Sequence, residues 1–213
     1  DIEAAEKGGY EHFMLKEIYE QPKAVLDTIS PRIKDDRIVI DELEMSEEDI
    51  RKLKRIYIIG CGSAYHVGVT GKYVIEKLTR IPVEVDLASE FRYRNPILEQ
   101  DSMVIIISQS GETADSLAAL RKAQELGVKV LGVVNVVGST IAREADNVLY
   151  TWAGPEISVA TTKAYSTQLS ALYLLAMLFG DIRGTIPSEE YVQMLAELKS
   201  LPDKIQEILG DKE

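Results

Sequence analysis

Between residues 54 and 150 the chain repeats one texture: a short β-branched run, then a stretch with helical spacing. The runs are "RIYIIG", "PVEVDLA", "SMVIIIS", "KVLGVVN" and "NVLY", and the helix-like stretches lie at 65–80, 113–126 and 139–145. Strands that alternate with helices join through crossovers, so they build a mostly parallel sheet. Residues 56–59 and 103–107 are apolar without interruption, as expected of strands covered on both faces. Val83-Glu84-Val85-Asp86 alternates apolar and acidic, which suits an edge. With strands counted along the chain, the expected order is 2-1-3-4-5 in a doubly wound, five-stranded α/β sandwich.

Helical segments flank this unit. Residues 1–50 are polar, with Phe13, Met14, Ile18, Val25, Leu26 and Ile29 at roughly helical spacing and breaks expected at Pro22 and Pro31. They read as helices that pack onto something else. Ser46, with Asp49 three positions on, has the form of a capping box. After the loop "TWAGPEISVATTKA" comes a nearly all-round apolar helix over 169–179, a pattern that belongs in a core or an interface. The closing segment, 186–213, predicts one or two amphipathic helices split at Pro202. The expected organisation is therefore 1–50, 51–185 and 186–213.

Charge narrows the function. Of 213 residues, 35 are acidic and 24 basic, a net charge of −11, which argues against nucleic acid or an anionic membrane as partner. Any bound anion must be held by local donors against that field. The single cysteine, Cys61, rules out an internal disulfide or a cysteine–zinc cluster. With two separate histidines, no metal site is expected. No leader-like opening and no run of about 18 apolar residues is visible, so the expectation is a cytoplasmic protein.

In the order 2-1-3-4-5, ligands bind outside the carboxyl ends of strands 1 and 3, at the topological switch. The loop after strand 1 is Gly60-Cys61-Gly62-Ser63-Ala64, and the loop after strand 3 is Ser108-Gln109-Ser110-Gly111-Glu112-Thr113. Each feeds a helix N-terminus, where free N–H groups and the helix dipole favour an anion such as phosphate. Ser108, Gln109, Ser110 and Thr113 read as a phosphate cradle, with Ser63 contributing from the facing loop. The plainer alternative is that small polar residues simply end strands. Glu112 should turn away from a phosphate and serve the start of the helix that follows this loop electrostatically. A dinucleotide site is weak, because G-x-G-x-x-G breaks at Tyr65, and no Walker lysine follows the glycines.

Other reactive side chains have ordinary readings. His66 at a helix start is a hydrogen-bonding residue before it is an acid–base group, and His12 reads as surface. Cys61 suits a buried small residue. Arg92 and Arg94 should pair with nearby acids or line a subunit contact. Lys163 suits either a solvated or a sugar-contacting role.

"GCGSAYHVG", "SEFRYRNP", "ISQSGETADSL" and "GPEISVATTKAYSTQL", in this order and spacing, resemble the first sugar isomerase (SIS) module of the glucosamine-6-phosphate synthase family, the isomerising glutamine–fructose-6-phosphate aminotransferases. "AEKGGYEHFMLKEIYEQP" is similar to that family's segment between its glutaminase domain and its isomerase half. The resemblance implies a SIS, flavodoxin-like three-layer sandwich that binds fructose 6-phosphate or glucose 6-phosphate without metal or organic cofactor. It implies phosphate contacts from Ser63, Ser108, Gln109, Ser110 and Thr113. It implies sugar contacts from Val159, Ala160 and Thr161, with Glu156 and Lys163 beside them. Members commonly carry serine at the place of Ala64. The family's cysteine nucleophile is N-terminal, and its isomerising glutamate, ring-opening histidine and C-terminal lysine belong to a second SIS module. The implied chain is thus a substrate-binding half that pairs as a homodimer and binds without turnover. The alternatives are a stand-alone phosphosugar isomerase, which needs its own base, and a sugar-phosphate-sensing SIS module.

Overall fold

The computed structural model describes residues 6–211. Five parallel strands form its sheet: β3 (Arg55–Gly60), β4 (Val83–Leu87), β5 (Ser102–Ser108), β6 (Lys129–Val134) and β7 (Asn147–Tyr150). Their order is β4-β3-β5-β6-β7, which is 2-1-3-4-5 when the strands of this sheet are counted along the chain. The register pairs Ile58 with Val85 on one side and with Ile105 on the other, and Ile106 with Gly132.

The period of two explains the unbroken apolar runs. Ile56 and Ile58 of β3 and Met103, Ile105 and Ile107 of β5 point into one core cluster. Tyr57, Ile59, Val104 and Ile106 point into the other, on the opposite face. The first cluster is covered by α4 (Ser63–Thr79), α8 (Lys163–Arg183) and residues of the chain's two ends. The second is covered by α5 (Ala88–Tyr93), α6 (Ala114–Glu125) and α7 (Thr140–Glu144). Each fully buried isoleucine contributes about 1.5–3 kcal/mol of transfer free energy, so the central strands hold much of the fold's stability.

The terminal segments share the first core. Val25 and Ile29 of α2 (Gln21–Ile29) and Leu195 and Leu198 of α9 (Ser188–Gly210) belong to the same cluster as the inner strands. Arg32 is buried and donates to the Tyr150 carbonyl at the end of β7 and to Glu42. The short helices α1 (Phe13–Tyr19) and α3 (Glu47–Lys52) complete the N-terminal part, and Ser46 and Asp49 form the expected capping box on α3.

Three local expectations differ. Residues 33–38 are not helical but form a hairpin, β1 (Ile33–Lys34) with β2 (Arg37–Ile38). Asp35 and Asp36 adopt left-handed conformations at its turn, which aspartate tolerates better than most residues. The segment "SEFRYRNP" contains α5, a helix that its charges concealed. Pro202 does not split α9, which runs through it. The proline removes only its own N–H, and Leu195, Leu198, Leu201 and Ile205 pack onto the core from both sides of it.

Candidate functional site

A crevice of about 480 Å³ opens outside the carboxyl ends of β3 and β5. That volume is in the ordinary range for small-molecule sites. Ser63, Ser108, Gln109, Ser110 and Thr113 line it, together with Glu156, Val159 and Thr161. Ala160 and Lys163 are not among its lining residues.

The 108–113 turn is organised by its own small groups. Gly111 N–H donates to Ser108 Oγ at 3.1 Å, Ser108 Oγ lies 3.2 Å from Thr113 Oγ1, and Glu112 N–H donates to Ser110 Oγ at 3.2 Å. Gly111 has φ +67°, and a Cβ on it would stand 2.1 Å from Ser139 Oγ, so only glycine fits. Glu112 turns away as expected, but the helix start it serves is that of α7 and not of α6: its Oε1 accepts from Thr140 N–H at 2.7 Å. Hydrogen bonds from Thr140, hydroxyl first and backbone N–H second, hold the Glu112 carboxyl below its usual range.

Helix starts separate into two kinds. At α7, the N–H of Thr140, Ile141 and Ala142 bond Glu112, the Gly111 carbonyl and Ser139 Oγ, so that terminus is closed. At α4 and α6 no side chain caps the first turn, and the residues there, Ser63 and Ala64 on one and Thr113 and Ser116 on the other, border the crevice. Two dipoles of uncapped helices therefore meet at the hydroxyl cluster, and the lining includes no lysine or arginine. Such an arrangement is chemically able to hold an anion through neutral donors alone.

The opposite wall, residues 155–162, is folded around Glu156. Its carboxylate accepts from Thr161 Oγ1 at 3.0 Å, Thr162 N–H at 2.9 Å and Ala164 N–H at 3.2 Å, which caps α8. That engagement leaves Glu156 a structural acceptor at the crevice's edge. Val159 is fully exposed there. Lys163 is 3% exposed, with its ammonium 2.6 Å from Glu20 of α2's N-cap, so of its two readings the solvated one does not hold. A cation in an ion pair is tolerated in the interior where a lone one is not.

The other reactive candidates settle into ordinary roles. His66 is exposed, stacked edge-on to Tyr65 and outside the crevice lining; His12 is a surface residue beside Glu11. Arg92 pairs with Asp115, and Arg94 with Glu84 and Asp86, as expected of pairing with nearby acids. Cys61 is half-buried, 3.8 Å from Ser116 Oγ. Sequence reasoning missed Asn135 and Gln168. Asn135 lines the crevice but its amide is held by Thr151, Ala153 and Gly154. Gln168 is 3% exposed, and its Oε1 is buried without a hydrogen-bond partner. Its one sequence cue is a polar residue at the head of an apolar helix. Among the described residues no cluster of histidine, cysteine and carboxylates suited to a metal occurs, and no helix is long and apolar enough to cross a membrane.

Residues 49–178 match the family model described as SIS domain. The chain belongs to the SIS domain family. Over its whole length this SIS chain is 60% identical to a glutamine–fructose-6-phosphate aminotransferase (isomerizing) of Caldanaerobacter subterraneus subsp. tengcongensis. It is 59% identical to the one of Clostridium tetani. It spans 35% of the length of each of these relatives. Among solved structures, the C-terminal domain of glucosamine-fructose-6-phosphate aminotransferase from Francisella tularensis superposes with a TM-score of 0.89 at 41% identity. That match covers 93% of this SIS chain and 56% of the other.

Proposed function

We propose that this SIS chain is the sugar-phosphate-binding module of an isomerising glutamine–fructose-6-phosphate aminotransferase, acting in the cytoplasm on fructose 6-phosphate. The observation that carries this reading is the convergence of Ser63, Ser108, Gln109, Ser110 and Thr113, with two uncapped helix starts, in one crevice free of cationic side chains. A phosphate there exchanges its water for hydroxyl and N–H donors, and the Val159–Thr161 wall faces the sugar it carries. Glucose 6-phosphate presents the same phosphate and fits the same cradle.

In the reaction named for the relatives, ammonia from glutamine adds at C2 of the ketose and water leaves, giving an imine. Proton transfer from C1 to C2 then yields the amino aldose phosphate. The lining carboxylate, Glu156, is already engaged by Thr161, Thr162 and Ala164, so it is no free base for that transfer. The module therefore binds and orients, and the proton transfers belong to the second SIS module, with which and with a second copy of itself it would assemble.

Calorimetric titration of the chain tests this. Fructose 6-phosphate and glucose 6-phosphate should bind, inorganic phosphate more weakly and fructose not at all. Added ammonia should give no steady formation of glucosamine 6-phosphate. Equal binding of fructose and fructose 6-phosphate, or sustained turnover, would overturn the reading.

A further inference from the structure

The 155–162 wall is fastened from outside the sheet by the chain's first helix. Glu17, on α1, is 2% exposed, and its Oε1 accepts from Ile157 N–H at 2.6 Å and Ser158 N–H at 3.2 Å. Its Oε2 is buried without a hydrogen-bond partner. Nearby, Glu20 holds Lys163 at 2.6 Å, and Gln21 Oε1 accepts from Ser166 Oγ at 2.6 Å. One short stretch of α1 and α2 thus grips residues 157–166, which lie 140 to 145 positions away along the chain.

Burying a carboxylate is costly unless hydrogen bonds replace its water. A position that needed only filling would take an apolar side chain. Here the acid is matched to two consecutive backbone N–H groups in a segment without regular structure, which have no strand or helix to bond. Fixing those two amides fixes the start of the Val159–Thr161 stretch, whose Val159 and Thr161 face the crevice. From within, Glu156 holds only the far end of the same loop, at Thr161, Thr162 and Ala164. Neither carboxylate alone defines the wall.

We propose that Glu17 is a positioning residue for the sugar-facing wall: by holding the Ile157 and Ser158 amides it sets where Val159 and Thr161 stand in the crevice. Its effect on ligand rests on the reading of the crevice as a hexose 6-phosphate site; its hold on the loop does not. Among the described residues the hydrogen bonds of Glu17 go to Ile157 and Ser158 and none to the cradle at 108–113, so the two functions of the crevice separate.

The test uses the whole chain with Glu17→Met, which keeps the volume and removes the acceptor, and Glu17→Gln, which keeps an acceptor oxygen. Amide hydrogen exchange at Ile157 and Ser158 should quicken about tenfold or more in Glu17→Met, the scale of a lost charge-assisted hydrogen bond. Exchange at Gly111 and Thr140 should stay as it was. Fructose 6-phosphate affinity should fall by a similar factor while inorganic phosphate binds as before, and Glu17→Gln should recover most of both losses. Unchanged exchange at Ile157 and Ser158 in Glu17→Met overturns the proposal. So does equal loosening of Gly111 and Thr140, which would mean general damage. If the unmodified chain binds neither phosphosugar nor phosphate, the ligand reading fails, and the exchange result decides the positioning role alone.

Discussion

Residues 108–113 and residues 156–162 face the same crevice but are held there by different means. The first is a turn whose hydroxyls and amides bond one another within five positions, between a buried strand and an uncapped helix, with further ties from Asn135, Thr140 and Ile141. The second has no regular structure until α8 and depends on two carboxylates, one of its own and one from α1. A turn braced mainly by its own groups keeps its shape once its strand and the neighbouring helices are formed. A loop held by remote groups keeps its shape only while the whole molecule does. On the function proposed above, the phosphate-facing side should therefore be the robust half of the site and the sugar-facing side the adjustable one.

Substitutions can break this contrast, the most severe first. Gly111→Ala forces a left-handed alanine against Ser139, and the strain of about 1–3 kcal/mol should both destabilise the chain and reduce phosphate and phosphosugar binding by roughly a hundredfold. Thermal unfolding and calorimetry measure the two; intact binding would show that the turn is not self-determined. Ser108→Ala removes one hydroxyl from the cradle. It should weaken inorganic phosphate and fructose 6-phosphate alike by about 1.5–3 kcal/mol, the scale of a hydrogen bond to a charged group. If only the phosphosugar suffers, Ser108 faces sugar and the division of the crevice is misplaced.

Thr161→Ala, which loses the bond to Glu156, sharpens the other side. Fructose 6-phosphate should weaken by about 0.5–1.5 kcal/mol, the net worth of an ordinary hydrogen bond, with phosphate unaffected and Thr161→Ser close to native. The smallest effect is on acid stability. The Glu112 carboxyl is held below its ordinary value of 4.5 by Thr140 in the folded chain, so its contribution is complete above that value. It is lost as pH falls through the lower folded-state value. Urea unfolding followed through that acid range should show a shallower decline for Glu112→Gln than for the unaltered chain; parallel declines would mean the bond to Thr140 contributes nothing.

The legible parts of this molecule are those in which neighbours in sequence are neighbours in space. Five β-branched runs with helix-like spacers lead to the parallel sheet and its order, because residue alternation fixes which face each side chain meets. The serines and glycine of 108–113 could be read as a hydroxyl-lined turn at the crevice because a turn between a strand and a helix is largely decided within a few residues. That Glu112 turns away could be expected too, but not its partner Thr140, which lies 28 positions on in α7. The burial of Lys163 could not be read: it depends on Glu20, which is distant in sequence, and nothing near "TTKAY" reveals that partner. Gln168, Asn135 and the hairpin at 33–38 were hidden likewise, since each is defined by what packs beside it.

The sequence by itself determined the layered α/β architecture, the edge and central strands, the switch-point crevice and the hydroxyl turn within it. Hydrophobic periodicity and turn chemistry act over short separations and need no partner to be recognised. Tertiary structure alone decided how the 156–162 wall is held, that Glu17 and Lys163 are buried, and that α9 continues through Pro202. In each case the outcome turns on whether a distant group supplies a hydrogen bond, a countercharge or a packing surface, and that geometry exists only once the chain has folded.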